Sequence, residues 1–183
     1  MKTFKIVITF VVLLSIFGGF AFMWKFRTLG FSARRPPMEI EAWAAHHVRD
    51  LATPNSIKNL KNPLDISELY LAEARDHFAD HCASCHGNNG DGNTMLGKGM
   101  YPPPPDLSDK STQSLTDGEI FNIIKEGIRF TGMPGFGGAD DANWKLVAFI
   151  RQIPNLTKNE LRFMNEINHL DLESDSVTKH DGH

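Results

Sequence analysis

The chain has 183 residues, 41% hydrophobic and 22% charged, with 19 Lys plus Arg against 22 Asp plus Glu and a net charge of −3. That length allows about one domain plus appendages, and two cysteines in the whole chain cannot build a disulfide framework. The charge names no partner, and no basic patch interleaved with aromatic residues is present, which argues against nucleic-acid binding.

Lys2 and Lys5 precede Ile6 to Trp24, a run of 19 residues without a charge. As a helix it is about 28 Å long, close to the roughly 30 Å of a bilayer's hydrocarbon. A cleaved signal peptide and a retained anchor compete for this segment. A signal peptide has a shorter apolar stretch and ends in small residues, whereas this one finishes Phe20-Ala21-Phe22-Met23-Trp24-Lys25. Trp24 with Lys25 and Arg27 reads as an interfacial belt. Residues 1–27 are therefore expected to be a single transmembrane anchor. No cysteine lies near it, which excludes a lipoprotein anchor. Lys25, Arg27, Arg34 and Arg35 all follow the span, so the positive-inside count does not favour an outside C-terminus.

Residues 28–64 read as a juxtamembrane connector. Pro36-Pro37 stiffens its start, and Ile40, Trp43, Ala44, His47 and Leu51 then recur at helical spacing. This short amphipathic helix has two candidate resting places, a protein surface and a membrane surface. His46 and His47 read as surface or packing residues. Pro54-Asn55 and Asn62-Pro63 break the chain again.

The main domain is expected over residues 65–170. Asp65 with Glu68 forms a capping-box pattern that opens a helix to about His81, with Leu71, Ala74 and Phe78 as its apolar stripe. That helix leads into Cys82-Ala83-Ser84-Cys85-His86. A Cys-x-x-Cys-His run is a site of covalent haem attachment. Residues i and i+3 share a face of a helical turn, so both thiols can meet the two vinyl groups of one porphyrin edge. His86, one residue further round, offers its imidazole to the iron. A closed zinc site needs about four ligands, and no second cysteine pair exists. A redox dithiol normally follows a strand in a βαβ unit, and no such pattern surrounds this one.

Gly87 to Gly92 reads as a tight loop, and Tyr101-Pro102-Pro103-Pro104-Pro105 as a stiff extended segment. Such a segment can wall the haem and present a carbonyl to the second imidazole nitrogen of His86, the bond that ligating histidines usually make. Thr116 and Glu119 form a second capping box, opening a helix with Ile120, Phe121, Ile124 and Ile128 inward and Gly127 at its end. Asp140 or Asp141 caps the next helix, whose Trp144, Val147, Ala148 and Ile150 or Arg151 point inward and which Pro154 stops. Thr157 with Glu160 caps a last short helix bearing Leu161, Met164 and Leu170. Residues 171–183, including His180 and His183, read as a disordered polar tail.

Iron held by His86 needs a second axial partner or leaves a site for a substrate. Met and His together are the usual axial pair of cytochromes c. Met164 repeats with Leu161 at helical spacing and reads as core. Met95 and Met100 follow the motif closely, in a loop expected along the proximal side and haem edge. Met133 lies between two helices, with glycine before it and proline after it, and 47 residues of chain suffice to reach the opposite haem face. Met133 is the expected sixth ligand, ahead of Met100, Met95 or a histidine. His77 and His81 precede the motif on its own helix and are poorly placed to reach round.

From Leu69 to Pro154 the chain resembles the class I cytochromes c of the bacterial monohaem type. The resemblance rests on Cys82 to His86, Gly87 to Gly92, Pro102 to Leu107, Thr116 to Gly127, Gly132-Met133-Pro134 and Trp144 to Ile153. It implies an all-α fold around one covalently bound haem c, with the N- and C-terminal helices crossing and one haem edge exposed. It also implies that Phe78 and Trp144 contribute to the helix contact and the pocket wall. Covalent haem attachment in such proteins takes place outside the cytoplasmic membrane, so the domain is expected on the periplasmic side.

The function expected is electron transfer between respiratory redox proteins, not catalysis. Two alternatives stand beside it: the haem-bearing subunit of a larger oxidase or dehydrogenase, and a haem enzyme or sensor with a labile sixth ligand. No distal His–Arg pair stands beside Met133 in the sequence, which argues against peroxidase chemistry.

Overall fold

With neither a charge nor a proline between Ile6 and Trp24, the N-terminal segment forms one helix, α1, over Lys2–Leu29. The computed structural model describes residues 2–30 and 32–168; the expectations for Leu170, for the tail 171–183 and for His180 and His183 lie outside these residues. Within α1, Thr3–Thr28 is long and apolar enough to cross a membrane, and its side chains are exposed. The hydroxyls of Thr9 and Ser15 donate to the carbonyls of Lys5 and Val11, each at 2.9 Å, so the segment answers its own polar side chains. Any helix that enters hydrocarbon has to do this.

A second unit begins at Ala33. Its first helix, α2 (Glu39–Ala52), carries Glu39 and Glu41 in its first turn and Arg49 in its last, matching the helix dipole. The apolar stripe read from the sequence faces outward: Ile40, Trp43 and Leu51 are 66%, 57% and 85% exposed. Ala42 and Arg49, on the other side of the helix, are the partly covered residues. The short α3 (Asn55–Lys58) packs against α7 (Asp117–Glu126). There Gly118 is obligatory, because a Cβ on it would stand 1.9 Å from the Ile57 carbonyl oxygen. Asn62 then donates to the Trp144 carbonyl at 3.0 Å, and Leu64 packs against the core.

The next helix, α4, spans Glu68–His77 and is capped by Ser67, whose hydroxyl accepts from the Tyr70 N–H at 3.3 Å. The expected Asp65–Glu68 box does not form, since Ser67 stands one residue before the first helical turn and serves as the cap itself. The helical path continues beyond His77 as a π turn, Phe78–Cys82, and then α5, Ala83–His86. Phe78, Ala79 and Ala83 lie within it, fully buried.

α6 (Lys110–Gln113) precedes α7, which opens with both halves of the Thr116–Glu119 capping box and ends at Gly127 with φ +70°. α8 (Asp140–Gln152) has Ala139 at its cap position and no side-chain cap. Asp140, expected to cap it, pairs instead with Lys125 at 2.7 Å. α9 (Lys158–Asn168) opens with a reciprocal bond pair between Thr157 and Glu160.

The core lies between α4 and α8, with α7 and α9 closing it. Phe78 meets Phe149 with ring centroids 5.2 Å apart, Phe121 stacks on Trp144 at 4.2 Å, and Met164 is fully buried. Each such burial contributes about 1.5–3 kcal/mol. Among the described residues there is no strand, so the fold is all-α, and the two helices that the resemblance expects to cross do pack together.

Candidate functional site

The π turn adds one residue to the helical circuit just before the cysteines, a distortion that occurs often at functional sites. The Ala79 carbonyl in this turn accepts from Asn168 at 2.8 Å. Asn168 also bonds Asn88, which donates to Asn165 as well, so α9 ties both flanks of the motif together. After His86 the chain reverses at Gly87 (φ +75°), and Gly92 N–H returns to the His86 carbonyl at 2.7 Å. Thr94 donates to the Cys85 carbonyl at 3.1 Å. A side chain on Gly92 would meet the Pro104 carbonyl oxygen at 2.6 Å, which packs the loop directly against the proline segment.

Beside this turn lies a cavity of about 480 Å³ with mostly apolar walls, within the usual range for a cofactor site of about 300–1,000 Å³. Phe78, Cys82, Cys85 and His86 form one part of the lining and Pro102 to Pro105 another. Ile120, Ile123, Ile124 and Ile128 come from α7 and its exit, Leu146 and Ile150 from α8. Thr131 to Pro134 and Met100 complete the part that carries sulfur.

Burial lowers the His86 pKa, so its imidazole is neutral and able to donate to a metal. Its Nδ1 is buried with no hydrogen-bond partner. The proline segment does wall the cavity, but no proline carbonyl reaches this nitrogen; that of Pro104 lies against Gly92. Burial, then the neighbouring Cys85, push the Cys82 thiol up to about 12. A thiol held protonated in this way does not suit a redox dithiol, which uses the thiolate. Among the described residues no group of three or more His, Cys, Asp and Glu could hold a metal by itself. A neutral imidazole, two thiols and a thioether around an apolar cavity fit a haem.

Met133 sits in a loop fixed by its own backbone. Its N–H takes the Thr131 hydroxyl at 3.1 Å, and its carbonyl accepts from Ile128 at 3.1 Å. Gly127 lies so close beneath it that a Cβ there would meet the Met133 carbonyl at 2.7 Å. Met100 departs from its expected place, since its Sδ lies 2.8 Å from the position of a Cβ on Gly132, next to Met133. Two methionine sulfurs thus belong to residues lining the cavity. Met95 is 68% exposed and outside the lining, and Met164 is in the core.

Trp144 does not wall the pocket, because its ring is taken up by Phe121; Phe78 does. His46, expected to be a surface or packing residue, and Arg49, both of α2, line the cavity. They bring a histidine and an arginine to the lining from a helix more than 80 residues upstream of Met133. The only signal for it was that both residues share the polar side of α2.

A strandless helical domain with a Cys-x-x-Cys-His turn opening on such a cavity is a c-type cytochrome domain. Residues 71–150, less than half of the chain, match the family described as "Cytochrome C oxidase, cbb3-type, subunit III", a match that supports the class I monohaem c-type cytochromes for this domain. Haem c with its iron is the cofactor of that family, and its role is that of an electron carrier. No curated protein matches the chain.

Proposed function

We propose that the chain carries single electrons through one haem c attached by thioether bonds to Cys82 and Cys85, with His86 and Met133 on the iron. The observation that carries this reading is that all four side chains line one cavity, although His86 and Met133 are 47 residues apart. The cofactor supplies a ferric–ferrous couple. His86 and Met133 would hold the iron and leave no site for a substrate, and the soft sulfur would favour the ferrous state and raise the potential. The apolar walls keep water from the iron.

In this reading residues 1–27 anchor the chain in the cytoplasmic membrane, 28–64 connect, 65–170 form the haem domain on the periplasmic side, and 171–183 are a polar tail. Donor and acceptor are respiratory redox proteins. Optical spectra of the oxidised and reduced protein test the core of the reading: a low-spin haem c with a sulfur-to-iron band near the red end is expected. Haem that leaves in acid acetone would overturn the attachment. Recovery of a soluble form starting near residue 25 would overturn the anchor.

A second reading is favoured by the description of the matched family, that of an oxidase subunit. Here the domain would be the haem arm of a larger membrane complex. Haem staining after native electrophoresis in mild detergent separates the two. A band at the size of the single chain supports a free carrier, and a band several-fold larger supports the subunit.

A further inference from the structure

Arg49 is the one Lys or Arg among the residues lining the cavity, and no Asp or Glu lines it. Among the described residues its guanidinium makes no hydrogen bond or ion pair; the neighbouring Asp50 takes Lys58 at 2.6 Å instead. Arg49 and Asp50 act on each other only through space, and a guanidinium with free donors at the mouth of an apolar cavity can take a carboxylate there. His46, one turn away, lines the same stretch, and both residues are partly exposed, so this is where the cavity meets solvent.

The helix that brings them there is held in place. Glu41, in the first turn of α2, lies close enough to Tyr101, the residue before the proline wall, to raise the pKa of its phenol. Downstream, α3 is locked over Gly118 and Asn62 over Trp144. α2, α3 and Asn62 lie upstream of residue 71, outside the matched span, whereas Tyr101, Gly118 and Trp144 lie within it.

We propose that α2 is a built part of the haem crevice and that Arg49 binds a haem carboxylate there. This rests on the haem reading above. Haem carries two propionate side chains, and a planar guanidinium matches a carboxylate with two parallel hydrogen bonds. Arg49 is thus a positioning residue. It fixes the carboxylate edge of the porphyrin and lowers the negative charge felt by the iron, which favours the ferrous state.

Redox titration of the full-length holoprotein tests this with Arg49→Gln, Arg49→Lys and Arg162→Gln. Arg162, on α9, is exposed and outside the cavity lining, so its loss changes the net charge equally. The potential is expected to fall in Arg49→Gln, to recover most of the way in Arg49→Lys, and to hold in Arg162→Gln. The low-spin spectrum stays the same in all three. A fall no larger than that of Arg162→Gln overturns the proposal. So does an altered ligation spectrum, which would give Arg49 a role in the iron's coordination or the fold. An unchanged potential with loss of a peroxide-reducing activity seen in the wild type also overturns it, and would turn the His46–Arg49 pair to the reacting face. A purified chain with no haem spectrum would overturn the haem reading itself, and this inference with it.

Discussion

The side-chain amide of Asn168 donates to the carbonyl oxygen of Ala79 at 2.8 Å, bridging 89 residues of sequence. Ala79 lies in the π turn, three residues before Cys82. The bond therefore fixes the segment that presents the cysteines, and the same amide pairs with Asn88 on the far side of the motif. Replacing Asn168 with Ala leaves the Ala79 carbonyl and the Asn88 amide short of partners in a part-buried site. The expected cost is about 1–3 kcal/mol, measured as denaturant unfolding of the holoprotein. A loss below a few tenths of that range would show that water replaces the amide at no cost.

Acid sensitivity has a definite source in His77. Its ring lies 4.8 Å from that of His81, and its pKa is lowered, first by burial and then by the His81 charge, against the opposing pull of Asp80. Below the ordinary value of 6.5 the unfolded chain takes up a proton that the folded chain refuses. Stability therefore falls as pH drops through that value, and levels off once His77 protonates in the folded state as well. His77→Gln should flatten this part of the stability–pH curve. An unchanged slope in His77→Gln would move the source to another histidine.

Much of this fold was legible because its signals are local. The Thr116–Glu119 and Thr157–Glu160 boxes, the inward stripe of α7 and the stop at Gly127 depend on neighbours within a few residues. The cap of α4 shifted from Asp65 because Ser67 stands two residues further on and only backbone geometry selects between them. Asp140 was diverted from capping by Lys125, a partner from another helix. The cavity residues fall on both sides of the same divide. Cys82, Cys85 and His86 announce themselves by spacing, and Met133 by its glycine and proline. His46 and Arg49 sit on a helix whose apolar stripe points to solvent, the reverse of the usual rule, so amphipathicity led away from them. Met100 and Gly132 come together only through tertiary packing, and no periodicity encodes it.

Partner choice follows from charge. From Ile66 to Leu170 there are nine Lys plus Arg against fourteen Asp plus Glu, and haem carboxylates add to the negative side. Weak, fast encounters of redox proteins are steered by such fields. Electron exchange with a basic partner should slow as ionic strength rises, over the range in which the Debye length shortens from roughly 30 to 8 Å. Stopped-flow rates against salt measure this directly. Rates that climb with salt would identify an acidic partner surface and defeat the prediction.

The sharpest prediction concerns the two cavity methionines, now known to be neighbours across Gly132. Replacing a core methionine with leucine conserves volume and costs less than about 1.5 kcal/mol, leaving the spectrum intact. With Met133 on the iron, Met133→Leu keeps that packing but removes the sulfur. The ferric protein should then lose its sulfur-to-iron band, its potential should drop, and the reduced protein should bind carbon monoxide that the wild type resists. Met100→Leu should change none of these. The proximity of the Met100 sulfur adds a third arm. In Met133→Leu that sulfur, beside Gly132 in the same lining, is the candidate to compete for the vacancy, so the double variant is the clean test of an open iron. Carbon monoxide binding equal in Met133→Leu and the double variant shows that Met100 is a packing residue. A sulfur band that survives in Met133→Leu and disappears only in the double variant shows that Met100 steps in, and a band lost in Met100→Leu alone would transfer the axial assignment to it.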